Sequence, residues 1–319
     1  MRILIVGAGG VGGYFGGRLV EAGGDVTFLV RPERAQQLAN QGLVIESPLG
    51  DSRQSVATIL SVDEIKKPDI IFVACKAYGL EGALSAISQC VGKSTVILPL
   101  LNGIAHLEYI ERQLPQATVW GGIAHLGVTL GLDGAVRHLN NLHTLMFGTR
   151  PGNPQSRRTA ELADGLLSVL AASSVDGQRR PEIEQDLWDK FIFLSALAAS
   201  TCLMRASIGT ILATPHGERL ILQLLDEATR VAEAEGFAPD TEQMARYRGL
   251  LTERGSPSTA SMLRDIELGQ PTEAEHILGD TVARAHTHAI AAPTLEIALT
   301  HLQAYEHRRT GELNSTQGV

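Results

Sequence analysis

A cluster of glycines close to the first residue narrows what this chain can fold into more than any other feature. Gly7-Ala8-Gly9-Gly10-Val11-Gly12 follows Arg2-Ile3-Leu4-Ile5-Val6, a short apolar run rich in β-branched residues. It precedes Tyr14-Phe15-Gly16-Gly17-Arg18-Leu19-Val20, where apolar residues recur at helical spacing. Asp25-Val26-Thr27-Phe28-Leu29-Val30 then reads as a second buried strand. Strand, glycine turn, helix and strand together give G-x-G-x-x-G a physical meaning. Gly7 permits the tight turn. Gly9, without a Cβ, lets the backbone approach a pyrophosphate, and Gly12 lets helix and strand pack closely. A dinucleotide's phosphates then meet the free N–H groups and positive dipole end of the helix. Gly7, Ala8, Gly9, Gly10, Val11 and Gly12 are therefore the candidate cofactor-binding turn; the competing reading is a glycine-rich turn that binds nothing.

The end of the second strand selects the dinucleotide. An acid there accepts from the 2′-hydroxyl of NAD, but this chain has Val30-Arg31-Pro32-Glu33-Arg34. A guanidinium pairs bidentately with a 2′-phosphate, so Arg31, helped by Arg34, points to NADP(H). Glu33 can cap the next helix instead, and two surface arginines at a helix start are the plainer alternative.

Alternating strands and helices continue to residue 180, with buried strands at Asp69–Ala74 and Thr95–Leu98 and further strands at Thr118–Ala124, Ala135–Leu139 and Leu145–Gly148. From Pro181 helix follows helix, broken at Pro215, Gly236, Pro239, Gly255, Pro257, Gly269, Pro271 and Pro293. The fold expected is α/β: an N-terminal Rossmann-type doubly wound, mainly parallel sheet (1–180), a C-terminal all-helical domain (181–308) and a polar, disordered tail (309–319). Apolar residues make up 44% and charged residues 19%, which excludes a disordered chain. A net charge of −8 without a basic block argues against nucleic acid as a partner. The longest apolar stretch, Phe191–Met204, is too short to span a bilayer, and a strand starting at residue 2 leaves no room for a signal peptide. Cys75, Cys90 and Cys202 lack metal or redox spacing, and no histidine–carboxylate set has ligand spacing. No metal, no membrane and a cytoplasmic location are expected.

Ligands of open α/β sheets bind beyond the carboxyl ends of the strands. Lys76 and Asn102 stand there, able to touch cofactor ribose, nicotinamide or substrate; a solvated loop lysine and a turn residue before Gly103 are the alternatives. Of five lysines in the chain only Lys190 follows Lys93, against 22 arginines. It opens the apolar run Phe191–Ala198. Lysine can release a proton where arginine cannot, and burial lowers its pKa. Lys190 thus reads either as a general acid or as a helix-end lysine paired with Asp186 or Asp189. Glu273 lies in Gln270-Pro271-Thr272-Glu273-Ala274-Glu275-His276, where a proline-led helix is expected and Thr272 or an earlier residue can cap it.

The glycine turn, Lys76-Ala77-Tyr78, Leu101-Asn102-Gly103, Leu187-Trp188-Asp189-Lys190, Ser261-Met262-Leu263-Arg264-Asp265 and Thr272-Glu273-Ala274-Glu275 occur in one order along residues 1–308. In this the chain resembles the ketopantoate reductase (2-dehydropantoate 2-reductase) family. The resemblance implies NADPH-dependent reduction of the C2 ketone of 2-dehydropantoate to pantoate, in pantothenate synthesis. It implies Lys190 as proton donor to the C2 oxygen and Glu273 as a carboxylate near the nicotinamide. It further implies Asn102 touching cofactor and substrate, Lys76 contacting cofactor or substrate, Arg31 at the 2′-phosphate and Ser261 at the substrate carboxylate. The family's asparagines after the lysine correspond to Leu194 and Ala198, a third to about Ile208, and the one before the serine to Ser258. The helix face beyond Lys190 is thus more apolar than the family pocket. That leaves open a more apolar 2-oxo or imino acid as substrate, or a non-catalytic NADP(H)-sensing protein. The expected partner is a small 2-oxo acid; a homodimer is an assembly the sequence leaves open.

Overall fold

The computed structural model describes residues 1–65, 67–153 and 156–316, with the side chains of 312–316 left out. It divides into two compact units, Met1–Leu101 with His106–Glu184, and Asn102–Ala105 with Gln185 onward.

The first unit runs β1 (Arg2–Val6), α1 (Gly10–Glu21), β2 (Asp25–Leu29), α2 (Pro32–Gln41), β3 (Leu43–Glu46), β4 (Ser52–Gln54), β5 (Ala57–Ile59), β6 (Ile70–Val73), α3 (Leu80–Ile87) and β7 (Val96–Pro99). It continues with α4 (Ala105–Gln113), β8 (Thr118–Leu130), β9 (Val136–Thr149), α5 (Arg157–Ala172) and β10 (Asp176–Arg179). The strands order as β4-β3-β9-β8-β7-β6-β1-β2-β5, with β10 beside β9. From β8 to β5 every pairing is parallel, which is the expected doubly wound sheet. The strand order reverses between β1 and β6, so the glycine turn after β1 sits at the switch point where such sheets bind ligands.

Beyond β7 the sheet is mixed and curled. Only Thr118 and Val119 of β8 pair with β7; from Trp120 to Leu130 the strand pairs antiparallel with β9. Gly122 allows the crossing, since a Cβ there would strike the Pro99 carbonyl oxygen. The two short strands expected at 135–139 and 145–148 are one strand. Between the pairs Leu126/His143 and Val128/His138, residues 139–142 bulge outward opposite Gly127. Asn140 holds the bulge by accepting from the amides of Gly127 and Leu142.

Helix α1 is enclosed by this curl. Five of its twelve residues are glycine, which costs roughly 1 kcal/mol each against alanine in a helix interior. Packing outweighs that cost. A Cβ on Gly12 would meet Ala74 at 2.9 Å, and one on Gly16 would meet Phe28 Cζ at 2.5 Å, both beside the parallel strands. A Cβ on Gly13 would meet Val136 Cγ2 at 2.8 Å, and one on Gly17 Ile45 Cδ1 at 2.6 Å, on the antiparallel side. Neighbouring helical positions thus let two sheet surfaces approach the same backbone. Trp120, stacked on Phe147 with ring centroids 5.4 Å apart, anchors the core where the sheet turns.

The second unit is helical among the described residues: α6 (Ile183–Met204, straddling the division), α7 (Ile208–Leu212), α8 (Gly217–Ala234), α9 (Thr241–Leu251), α10 (Ser261–Glu267), a π-helical turn (Glu275–Gly279), α11 (Asp280–Thr287) and α12 (Pro293–Thr316). By length and composition α6 could cross a bilayer, but most of its apolar window is buried inside the protein. Its buried hydroxyls are satisfied: Ser200 and Thr201 donate to the Ala196 and Leu197 carbonyls, and Ser195 pairs with Thr281. Trp188 stacks on Phe237 at 5.4 Å. The carboxylate of the fully buried Glu227 accepts from the amides of Thr294 and Leu295 at the start of α12, where free N–H groups and the helix dipole favour an anion.

Two further expectations are corrected. No helix starts at Pro271: residues 271–273 are irregular and the helix begins at Ala274, because the amide and hydroxyl of Thr272 donate to Glu306 of α12 rather than capping a turn. Nor does the chain lose structure at 309. Helix α12 runs to Thr316, its polar end satisfied locally by the Arg309–Glu306 ion pair and by Thr310 donating to the Glu306 carbonyl. Residues 317–319 of the expected tail lie outside the described residues.

The enclosure of α1 predicts opposite signs for two similar substitutions. Gly16→Ala should destabilise by about 1–3 kcal/mol through overpacking. Gly82→Ala in α3, where a Cβ meets nothing within 4 Å, should stabilise by about 0.5–1 kcal/mol. Chemical denaturation of both variants checks the pair.

Candidate active site

In the first unit the glycine turn is built as its sequence requires. Gly7 has φ +97°, a left-handed conformation open to glycine, and its amide donates to the Leu29 carbonyl. A Cβ on Gly12 would strike the Gly7 carbonyl oxygen. Gly9 differs from both. It is the N-cap of α1 with φ −81°, and a Cβ there would meet no protein atom within 4 Å. Neither backbone strain nor packing within the chain requires glycine at this position, which leaves the space above it open. The first turn of α1 carries no acidic residue, leaving the positive end of the helix unopposed for a phosphate. Gly10, the first residue of α1, lies under Val128 of the β8–β9 hairpin, a Cβ there meeting Val128 Cγ1 at 3.1 Å. Ala8 and Val11 complete the turn.

Arg31 is exposed in extended conformation as the N-cap of α2, just beyond β2. Arg34 is committed elsewhere: its Nε donates to the Ala8 carbonyl at 3.0 Å and its Nη1 to the Gly134 carbonyl at 2.9 Å. It ties the glycine turn to the hairpin, leaving Arg31 the better placed of the two for an incoming phosphate. Lys76, half-buried, is the N-cap of a 3₁₀ turn (Ala77–Gly79) at the carboxyl end of β6.

In the second unit Lys190 lies beside Glu273, and Asn102 lies against His276, a residue the sequence did not single out. Lys190 sits in the second turn of α6 and keeps some contact with solvent. Desolvation nevertheless lowers its ammonium to about 8, and the nearby Glu273 carboxylate opposes the fall. Glu273 is 7% exposed and immediately precedes the helix that widens into the π-helical turn. One turn on, His276 donates from its ring to the backbone carbonyl of Asn102, and the carboxylates of Glu273 and Asp280 face it. Burial pushes the His276 imidazole down, against all three of these partners. Its sequence signal was modest: a histidine one helical turn after a candidate acid.

Ser261 is the half-buried first residue of α10. The preceding Ala260 amide donates to Thr201 Oγ1. Thr201 lies three turns along α6 from Lys190, about 16 Å at 1.5 Å per residue, so this end of α10 is fixed well along the helix from the lysine. Of the positions where the family has asparagine, Leu194 is half-buried, while Ala198 and Ile208 are 0% exposed. The Ile208 amide donates to the Ser258 carbonyl.

A switch-point glycine turn and a helical unit with a desolvated lysine beside a buried carboxylate define the class of two-part, dinucleotide-binding oxidoreductases. Family models agree: the model of ketopantoate reductase PanE/ApbA matches residues 3–152, and that of its C-terminal domain matches residues 182–306. The chain belongs to the ketopantoate reductase family. It is 36% identical over 306 residues to the uncharacterized oxidoreductase YkpB of Bacillus subtilis (strain 168), covering 96% of this chain and 99% of the relative. It is 30% identical over 305 residues to the 2-dehydropantoate 2-reductase of Halobacterium salinarum, covering 92% and 95%. Its fold superposes on D-mandelate dehydrogenase bound to NADH and anilino(oxo)acetate with a TM-score of 0.85, at 22% identity over 97% of this chain and 100% of that one.

Since no protein contact demands glycine at position 9, Gly9→Ala should change folding stability by less than about 0.5 kcal/mol. It should weaken nicotinamide-dinucleotide binding roughly tenfold or more, equivalent to about 1.4 kcal/mol. Thermal unfolding and fluorescence titration with NADPH measure the two effects side by side.

Proposed function

We propose that this chain is an NADPH-dependent reductase of a 2-oxo acid, converting the C2 ketone of 2-dehydropantoate to the alcohol of pantoate. The observation that carries the reading is Lys190, lowered to about 8 beside the buried Glu273, in the same unit as Asn102. A pKa of about 8 leaves the ammonium largely charged at neutral pH, yet it releases its proton more readily than an ordinary lysine.

A nicotinamide held by this chain would supply the hydride to the ketone carbon. The residues of the chain do the rest. The turn from Gly7 to Gly12 and the α1 N-terminus hold the pyrophosphate, Arg31 pairs with the 2′-phosphate, and Lys76 contacts the cofactor. The Lys190 ammonium faces the ketone oxygen, stabilises the negative charge that grows there and then protonates it. Glu273 keeps Lys190 charged against desolvation and helps hold the ligands. Asn102 contacts cofactor and substrate, and Ser261 the substrate carboxylate. Substrate and cofactor are small molecules; nucleic acid, metal and membrane have no part in this scheme.

The half-buried Leu194, one turn after Lys190, favours a second reading within the same chemistry, a 2-oxo or imino acid with an apolar side chain. The fold shared with D-mandelate dehydrogenase fits it. Retention of Lys190 and Glu273 speaks against a cofactor sensor without turnover, which needs no proton donor. Loss of NADPH absorbance with purified protein and a panel of 2-oxo acids, 2-dehydropantoate and a phenyl-substituted acid included, ranks these readings.

Two outcomes are expected. The rate of reduction should be level below pH 8 and fall as pH rises through about 8, because the acid must carry its proton. Lys190→Ala should lower kcat/KM by about 10²–10⁴-fold with NADPH affinity nearly unchanged, and Lys190→Arg should restore little. A pH–rate profile and steady-state kinetics of the variants check this; near-parent turnover in Lys190→Ala removes Lys190 from the mechanism. NADPH should bind more tightly than NADH, with Arg31→Ala narrowing the difference, as parallel titrations of both cofactors would show.

A further inference from the structure

Asn102 lies in a loop, and a loop residue contacts a ligand reproducibly only if something fixes its backbone. The segment Asn102–Ala105 belongs to the second unit although α4, which it enters, belongs mostly to the first. Gly103 has φ +82°, so the loop makes a left-handed turn immediately after Asn102. That turn lies directly against His276. A Cβ on Gly103 would be 3.0 Å from the His276 Cδ2, 3.1 Å from its carbonyl oxygen and 3.2 Å from its Nε2. The ring also donates to the Asn102 carbonyl. His276 itself sits in the π-helical turn Glu275–Gly279, three residues after Glu273. One imidazole therefore touches the loop carrying the proposed amide contact and sits on the element that follows the proposed carboxylate.

We infer that His276 is a positioning residue that clamps the Asn102–Gly103 turn onto the π-helical turn, setting the Asn102 amide relative to Glu273. The role rests on the reductase reading above for its kinetic consequence, but the clamp itself is a property of the second unit. It also assigns a purpose to the irregular helix. A π-helical turn inserts an extra residue into the helical repeat, and here the ring of His276 projects from it onto the loop. Gly103 is the complementary half: any side chain there would displace the ring.

The clamp makes Asn102 contacts shared by ground state and transition state, so its loss should appear in KM rather than kcat. His276→Phe keeps a ring of similar size without the N–H. It should raise the KM for the 2-oxo acid roughly tenfold, the scale of one hydrogen bond, with kcat within about threefold of the parent. The same variant should speed amide hydrogen exchange in residues 102–105 roughly tenfold. His276→Gln, whose side-chain amide can donate to the same carbonyl, should recover most of both effects. Unchanged exchange at 102–105 in His276→Phe overturns the clamp. Equal impairment of His276→Gln and His276→Phe overturns it too, since ring packing and not the donor would then matter. If the parent protein turns over no 2-oxo acid, the reductase reading falls, and the exchange comparison still decides whether His276 fixes the loop.

Discussion

Close approach of backbone to side chain at helix α1 is the contact on which the rest of the first unit depends. Four glycines at 12, 13, 16 and 17 let Ala74, Phe28, Val136 and Ile45 come nearer than any Cβ would permit. The parallel strands press on one pair and the antiparallel strands on the other, so the curl of the sheet and the seat of the helix are one fact. The glycine turn inherits its position from that seat. Its N–H groups point where they do because the helix behind them cannot shift toward either sheet. Intrinsic helix propensity contributes little here, since a segment so rich in glycine would not be helical in isolation.

In the second unit the decisive balance is electrostatic. Removing an ammonium from water disfavours its charge, and a neighbouring carboxylate restores part of it. At Lys190 desolvation wins by a moderate margin, leaving the group near 8 instead of neutral outright. A lysine with no acid beside it would fall further and hold its proton too rarely at neutral pH. One tightly paired at the surface would stay near its ordinary value and release the proton too reluctantly. Desolvating the ammonium beside the buried Glu273 carboxylate places the lysine between these limits.

Much of the parallel sheet was legible because its strands are short apolar runs bounded by turn residues, and a strand buried on both faces needs no other signal. The antiparallel part was harder. β9 carries polar residues through its bulge, so its two apolar ends look like separate strands, and β10 reads Asp-Gly-Gln-Arg, with no apolar residue at all. Proline at 271 signalled a helix start, but the contact of Thr272 with Glu306 is tertiary and invisible to local pattern. For the site, Lys190 stood out as an isolated lysine and Asn102 by its place after a strand. That Asn102 groups with the helical unit, and that His276 meets it there, depends on contacts between segments more than 150 residues apart.

The two tryptophans of the chain are divided between the two units. Trp120 is buried against Phe147 where β8 leaves the parallel sheet, and Trp188 is buried against Phe237 on α6, with the Arg284 guanidinium 5.3 Å from its ring. Each indole therefore packs against an aromatic ring of its own unit. Replacing one with phenylalanine leaves an emission spectrum whose red shift on denaturation reports one unit alone. The cooperativity of this two-part chain, whether its halves melt as one or in sequence, is thus accessible to an optical signal the protein already contains.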